Sequence, residues 1–254
     1  MKQLIVTGDD FGRSHEVNEA IERGHEAGFL TQASLMVNEG CAEEAVRIAQ
    51  RHPALCVGLH LTLCDGHASA VSALTDDAAR FCPSPARAGL RYGCRPSLAR
   101  PLEDEIRAQF GRFHALGFAP TYWDGHTHLH LQWRIHRLTV PVAVEYGFRA
   151  TRVVREPGPW RLVPHLLSLM SAAAIPRLRA HGISFTDHTF GLRDTGLMTT
   201  EKASLILQSL PEGVSELYFH PGAEPEEMDY AHLRALLEER GITLRTWAPP
   251  EAGS

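Results

Sequence analysis

The stretch Val6-Thr7-Gly8-Asp9-Asp10-Phe11-Gly12 places two adjacent carboxylates between a short apolar run and a helix that Ser14 can cap. The aliphatic run at residues 4–6 predicts a buried strand, and the amphipathic pattern from residue 15 to about 27 predicts the helix. Neighbouring aspartates repel one another, so a chain keeps them most easily where a cation, usually a metal ion, lies beside them. A solvated turn is the alternative for this stretch alone.

Strands and helices alternate along the rest of the chain. Apolar runs predict strands at residues 4–6, 31–37, 57–61, 121–126, 149–154, 183–186, 214–219 and 242–247, with helical patterns between them. Such alternation predicts a parallel sheet. Seven or eight units favour an α/β fold of the (β/α) barrel type, TIM-barrel-like with allowance for distortion, over an open doubly wound sheet.

The 254 residues are expected to form a single domain, 1–254, with one irregular part. The segment at about 65–101 shows no clear periodicity. A stretch of that length inside a compact domain predicts a functional loop or lid.

Composition excludes several classes of protein. The formal charge of −5 and the absence of a Lys/Arg cluster argue against nucleic acid as a partner. No apolar stretch reaches the roughly 20 residues of a membrane span, and no signal peptide precedes the first strand. Five cysteines without CxxC spacing are typical of reduced thiols. We therefore expect a cytoplasmic protein, for which peripheral membrane contact and a homo-oligomer stay open.

Polar side chains occur at the ends of successive predicted strands. In a parallel barrel these carboxyl-terminal ends face one mouth, where active sites lie. Each residue has an ordinary interpretation by itself, such as a core histidine or a turn residue, but their common placement favours a site. The residues selected in this way are Asp9, Asp10, Asn38, His60, Asp124, His126, Arg152 and His220.

Three histidines with a spacing of two, His126, His128 and His130, follow Asp124. They would share one face of a continuous strand, but Gly125 and the following helix suggest that the strand ends here. One or two are expected at a metal ion and the others beside it or on the substrate. One carboxylate with two imidazoles leaves coordination positions open, as in catalytic sites. This donor set favours Zn²⁺ or a similar ion and does not exclude Mg²⁺.

Four motifs resemble the YdjC-like carbohydrate deacetylases, and particularly their hopanoid-biosynthesis-associated (HpnK-like) branch. Weaker agreement at residues 33–38 and 190–192 extends the resemblance over nearly the whole chain. Two departures, Gly8 for the usual alanine and Gln132-Trp133 for a common His-Pro, are expected to alter the shape of the mouth. The motifs are Thr7-Gly8-Asp9-Asp10-Phe11-Gly12, Gly58-Leu59-His60-Leu61, Asp124-Gly125-His126-Thr127-His128-Leu129-His130 and Tyr218-Phe219-His220-Pro221-Gly222.

The resemblance implies metal-dependent removal of acetyl groups from N-acetylated sugars on a (β/α) barrel. It implies Asp10, His60 and His126 as ligands of one divalent ion, Zn²⁺ or Mg²⁺, with metal-bound water as the nucleophile. Asp9 would be the general base and His220 the general acid that protonates the departing amine. Supporting or substrate-binding roles would fall to Asp124, His128, His130, Asn38 and Arg152. The hopanoid branch further implies a lipid-linked N-acetylglucosaminyl substrate.

Other functions stay open from the sequence. A soluble chito-oligosaccharide is the alternative substrate. An amidohydrolase barrel would carry its His-x-His pair on the first strand, and a phosphoesterase would carry a richer Lys/Arg lining. A non-catalytic sugar-binding protein needs no general base, so the pair Asp9-Asp10 weighs against it. The apolar segment 162–174 is either a shelter for a lipid tail or a core-facing helix.

Overall fold

The computed structural model of the protein describes residues 1–247. Strands and helices alternate through this range. The strands are β1 (Lys2–Phe11), β2 (Gln32–Leu35), β3 (Cys56–Leu61), β4 (Tyr122–Gly125), β5 (Ala150–Thr151), β6 (His188–Phe190), β7 (Gly213–Phe219) and β8 (Thr243–Leu244). The α-helices are α1 (His15–Glu26), α2 (Ala42–Arg51), α3 (Pro85–Cys94), α4 (Ala99–Ala115), α5 (Trp133–Glu145), α6 (Leu162–Ala180), α7 (Thr200–Gln208) and α8 (Tyr230–Glu239).

The strands form one curled parallel sheet in the order β5-β4-β3-β2-β1-β7-β6, and β8 pairs with the start of β1. β1 is the central strand, because β7 runs along its first part and β2 along its last part. Between β5 and β6 the described residues form no ladder, and a single bridge joins Ala150 to Ser184. The predicted α/β class and barrel-like curl are therefore confirmed, but the sheet is an open half-barrel rather than a closed barrel.

Alternation along β1 separates the helix-covered face of the sheet from the inside of the curl. Leu4 and Val6 pack in the large core that the helices share with the sheet, whereas Ile5 packs with Tyr122 and Trp247 in a separate cluster. Side chains at positions 5, 7 and 9 of β1 therefore point into the curl.

Gly8 lies on the helix-covered face of β1. A Cβ placed there would approach Ile21 and Leu30 to within 2.9 and 2.8 Å. The glycine thus makes room for these two core side chains. The expectation that this departure alters the mouth is wrong, because the missing methyl group points away from it.

Two predicted segments need correction. The stretch 65–101 is not a plain loop: it contains α3, whose first turn is capped by the Ser84 hydroxyl and carries Pro85. The sixth strand lies at His188–Phe190 rather than at 183–186, because only the later residues align with Ser215–Leu217 of β7. In the part of the chain that the structure describes, no helix combines the length and apolarity needed to cross a bilayer.

Candidate active site

β1 brings both aspartates to the inside of the curl. Simple alternation would send Asp9 inward and Asp10 outward, toward the helices. However, the register between β1 and β2 shifts between Gly8 and Phe11, and Asp10 has a φ of 63°. This irregularity turns the Asp10 carboxylate to the same side as Asp9, so that a ligand atom of each lies close to His60.

Three buried atoms that can bind a metal ion converge at the end of β1. Asp10 Oδ1 lies 3.3 Å from His60 Nε2 and 2.9 Å from His126 Nδ1. None of the three atoms has a hydrogen-bond partner among the described residues. Buried polar atoms without hydrogen-bond partners are rare in folded proteins, and a bound ion or water is one of the explanations for them. One carboxylate oxygen with two imidazole nitrogens suits a divalent first-row ion, so these residues fit the predicted metal.

The histidines of this triad keep Asp10 in the ionised form that a metal ligand needs. Burial opposes ionisation of Asp10, but the neighbouring His126 and His60 hold the pKa of its carboxyl well below the usual range. Burial likewise opposes protonation of His60, but Asp124 and Asp9 raise its pKa to about 10. A metal ion at His60 Nε2 would therefore compete with a proton, and its affinity would fall as the pH is lowered.

Asp124 orients His60 from behind. Its Oδ1 lies 2.6 Å from His60 Nδ1 and accepts that N–H, which leaves Nε2 directed at the triad. The hydroxyl of Ser34 donates to the other oxygen of Asp124 at 2.8 Å. Burial opposes ionisation of Asp124, but Arg152 and His60 keep its pKa low. Asp124 therefore contacts the ring of His60 on the side away from the triad.

Arg152 is the centre of a buried charge network. Its two terminal nitrogens donate to the two Asp9 oxygens at 2.7 and 2.8 Å. One of them also lies 2.9 Å from Asp124 Oδ2 and 2.8 Å from Glu216 Oε1. One guanidinium, 1% exposed, thus faces three carboxylates. The bidentate pairing fixes the plane of the Asp9 carboxylate beside the ligand triad.

The histidine cluster divides between the cavity and its support. β4 ends at Gly125, as predicted, and left-handed φ values at Thr127 and His128 break the spacing of two. His128 lines the cavity, with its Nε2 2.8 Å from the Tyr218 hydroxyl. His130 instead donates from Nε2 to the Arg152 carbonyl at 2.9 Å, and so supports the arginine from the side.

Asn38 does not join this cluster. Its side-chain nitrogen lies 3.1 Å from Ser69 Oγ and 3.3 Å from the His67 carbonyl, to which it donates. It also lies 3.4 Å from Glu105 Oε1 on α4. The structure therefore places Asn38 where it anchors the segment 65–101 to the helix layer.

A cavity of about 790 Å³ lies over the triad. His220, at the end of β7, faces it, and its backbone N–H donates to Glu224 Oε1 at 3.1 Å. Burial opposes protonation of His220, but Glu224 and the aspartates of β1 raise its pKa. The walls are apolar and come mainly from α3 and α6, whereas the floor is polar and consists of Asp9, His60, Asp65, His126, His128, Tyr218 and His220.

Four residues at the site were not identified from the sequence. Arg13 donates to Asp10 Oδ2 at 3.1 Å and to Asp65 Oδ2 at 3.0 Å. His126 Nε2 lies 3.3 Å from Arg13 Nη1 and 3.5 Å from Asp65 Oδ2. In the tautomer that carries its proton on Nε2, Asp65 accepts that N–H and Nδ1 is left for a metal. Glu216 and Tyr218 were detectable, because they alternate with His220 along one face of the seventh strand. The Arg13–Asp65 pair gives no local signal.

Comparisons with known proteins identify the family of the chain. Residues 3–248 match the profile of the family described as YdjC-like protein. The chain is 31% identical to a carbohydrate deacetylase of Mus musculus over 245 residues, 87% of this chain and 78% of that protein. A carbohydrate deacetylase of Brevibacillus brevis is 40% identical over 146 residues, which cover 57% of this chain and 56% of that protein.

The fold also has a solved counterpart. A protein from Enterococcus faecalis V583, named for cellobiose-phosphate cleavage, matches 97% of each chain with a TM-score of 0.72. At 20% sequence identity this likeness concerns the fold alone. Together with the family profile, which spans almost all of the sequence, these findings show that the chain belongs to the YdjC-like family.

Proposed function

We propose that this chain removes the acetyl group from an N-acetylated amino sugar by metal-dependent hydrolysis. The observation that carries the proposal is the convergence of unpartnered donor atoms from Asp10, His60 and His126 beside Asp9. As a relative of the carbohydrate deacetylases, the chain is a hydrolase that acts on carbon–nitrogen amide bonds. The amide is a poor electrophile, so its cleavage requires an activated water and a proton for the amine.

The first half of the reaction uses the residues of β1. Asp10, His60 and His126 would hold one divalent ion, Zn²⁺ or Mg²⁺, which when bound polarises the amide carbonyl and a water molecule. Asp9 accepts a proton from the water while the oxygen of that water attacks the carbonyl carbon. Each Asp9 oxygen keeps a lone pair beyond the one that accepts from Arg152, so the pairing orients the base without blocking it.

The second half uses His220. Its imidazole faces the cavity from β7, and its raised pKa favours the protonated form that a general acid needs. As the carbon–nitrogen bond breaks, His220 gives its proton to the amine, and the products are acetate and a free amino sugar. Asp124 and Arg152 are positioning residues, since they act on His60 and Asp9 rather than on the substrate.

The finer proposal concerns a lipid-linked substrate, such as an N-acetylglucosaminyl hopanoid. The polar floor of the cavity suits the sugar, and the apolar walls suit a hydrocarbon. Leu90 of α3 and Val163, Leu166 and Met170 of α6 form these walls. A soluble chito-oligosaccharide would leave them in contact with water. The contrast between floor and walls therefore favours the glycolipid.

The test is acetate release by metal-reconstituted protein from N-acetylglucosaminyl hopanoid and from diacetylchitobiose in parallel. Asp9→Asn should lose at least about 100-fold in turnover, because the base is removed, yet keep its metal. Asp77→Asn, which alters an exposed aspartate outside the site, is the matched control and should stay active. Acetate from chitobiose alone would reject the lipid substrate and keep the reaction. No acetate from either substrate, with metal bound, would reject deacetylation of these sugars.

A further inference from the structure

α6 presents apolar side chains in two directions. Leu167 and Met170 pack toward the core beside the cavity. Leu162, Leu166 and Leu169, spaced by four and three residues, are each more than half exposed. Segment 162–174 is thus only partly core-facing. A helix that is apolar on nearly all sides is normally buried, so we expect another apolar surface to cover the exposed row of leucines.

The exposed row of α6 continues around the mouth of the cavity. Trp160 precedes the helix, Leu90 lies on α3 across the mouth, and Trp133 begins α5; all three are more than half exposed. A second depression of about 410 Å³, beside Trp133, shares Met170 with the main cavity. We call this surface the apolar rim and define it as Leu90, Trp133, Trp160, Leu162, Leu166 and Leu169.

The three segments that carry the apolar rim contain charges of one sign. The segments 81–102, 126–144 and 157–186, which carry α3, the first part of α5 and α6, contain arginines but no aspartate or glutamate. Among residues 1–247, none of the exposed arginines at positions 87, 95, 137, 161 and 179 forms an ion pair with a carboxylate. The chain as a whole has a charge of −5, so its acidic residues lie elsewhere. The three segments are distant in sequence, and only the fold brings them to one cavity.

We propose that the apolar rim docks onto an anionic lipid bilayer, with α6 at the interface. The leucines would enter the boundary of the acyl chains, and the surrounding arginines would meet the lipid phosphates. Tryptophans such as Trp133 and Trp160 are favoured at that depth. The acidic remainder of the protein would face away from the negative surface.

A second copy of the chain is a poorer occupant. A two-fold interface places the same patch against itself, and a patch whose charges are all positive is not self-complementary. A bilayer supplies both the apolar layer and the opposite charge. Docking would also turn the mouth of the cavity toward the membrane; if the proposed glycolipid function holds, the substrate would enter without crossing water.

The test is co-sedimentation of the full chain with vesicles of phosphatidylcholine containing phosphatidylglycerol, compared with phosphatidylcholine alone. The wild type should partition at least about tenfold more strongly onto the anionic vesicles, because several arginines contribute. The triple variant Trp160→Ala/Leu162→Gln/Leu169→Gln should bind them at least about tenfold more weakly. None of these three side chains lines the cavity. Leu197→Gln/Leu205→Gln, with side chains of similar exposure outside the rim, should bind like the wild type.

Circular dichroism and the thermal midpoint report whether each variant is folded, and neither depends on turnover. Equal partition onto both kinds of vesicle, or none onto either, would overturn the proposal. So would self-association in sedimentation velocity that the triple variant abolishes, because the rim would then be a contact between copies. Vesicle binding needs no catalysis, so loss of docking and loss of deacetylation remain separate results.

Discussion

Replacing Arg152 with methionine removes a guanidinium that faces three buried carboxylates. Arg152, Asp9, Asp124 and Glu216 are all 2% exposed or less, so water cannot replace the lost charge. Breaking a buried ion pair from one side costs about 3–5 kcal/mol of unfolding free energy. That is a large part of the roughly 5–15 kcal/mol that stabilises a domain. We expect Arg152→Met to lower the free energy of unfolding by about 5 kcal/mol or more, because three acceptors lose a donor.

The pH dependence of this loss has a definite sign. In the wild type, the depressed pKa of Asp124 gives stability that is present near neutral pH and lost as the pH falls below its usual value. Burial raises the pKa of the Glu216 carboxyl, so its charged form destabilises the fold and protonation at lower pH removes that cost. Without Arg152, the pKa of both carboxyls rises. The destabilisation by Arg152→Met should therefore shrink as the pH is lowered from 8 to about 5.

Urea unfolding followed by circular dichroism measures these free energies. Glu216→Gln provides the control, because it removes one of the carboxylates without changing the side-chain size. Made alone, Glu216→Gln weakens the contacts with Arg152 and Thr7 and should lower the free energy of unfolding. Made together with Arg152→Met, Glu216→Gln removes a buried charge that has lost its partner. The coupling free energy between the two substitutions in the double-mutant cycle should exceed about 1 kcal/mol. A loss below about 1 kcal/mol for Arg152→Met, typical of surface pairs, would refute the network.

Four further substitutions test other parts of the site and fold. Asp124→Asn should weaken Zn²⁺ binding by about 10–100-fold in a chelator competition, because the orienting acceptor is impaired; an unchanged affinity would contradict its role. Asp10→Asn should reduce the metal content, measured by mass spectrometry, to a trace, while circular dichroism stays unchanged because asparagine tolerates a positive φ. His220→Gln should slow acetate release from the N-acetylated sugar that the wild type deacetylates by about 10²–10⁴-fold but hardly slow hydrolysis of 4-nitrophenyl acetate, whose leaving group needs no proton; equal losses would argue against an acid. Gly191→Ala should lower the thermal midpoint by several degrees, since φ is 123° and a Cβ would collide with the Tyr218 carbonyl.

Much of the candidate site follows from the rule that parallel strands end at one edge. Asp9, His60 and Asp124 come together for that reason. The rule selects Asn38 as well, but β2 ends at Leu35, so the chain has already left the sheet when it reaches the asparagine. The inward turn of the Asp10 side chain depends on a register shift between two strands, which no local pattern encodes.

The fold was predictable in its alternation and less so in its edges. Residues 183–186 have a strand-like pattern, but the position of β6 is set by hydrogen bonds to β7, a partner that the segment does not itself reveal. α3 buries only Ala88 and Tyr92, which is too few for a visible apolar period. Its Ser84-Pro85 start was the available signal. Among the described residues the curl stays open between β5 and β6, because Ala150 of β5 makes a single bridge, to Ser184, which precedes β6.

The position of β1 between β2 and β7 has a consequence for the order in which a ribosome completes the protein. The hydrogen bond from Thr7 to Glu216 joins residues 209 positions apart, so β1 gains its second neighbour only after β7 has been synthesised. Asp10, His60 and His126 are all synthesised before His220, which follows His126 by 94 residues. A nascent chain can therefore bring the three proposed metal ligands together before His220, the proposed acid, is present, and we expect hydrolytic competence to arise only once β7 has joined the sheet.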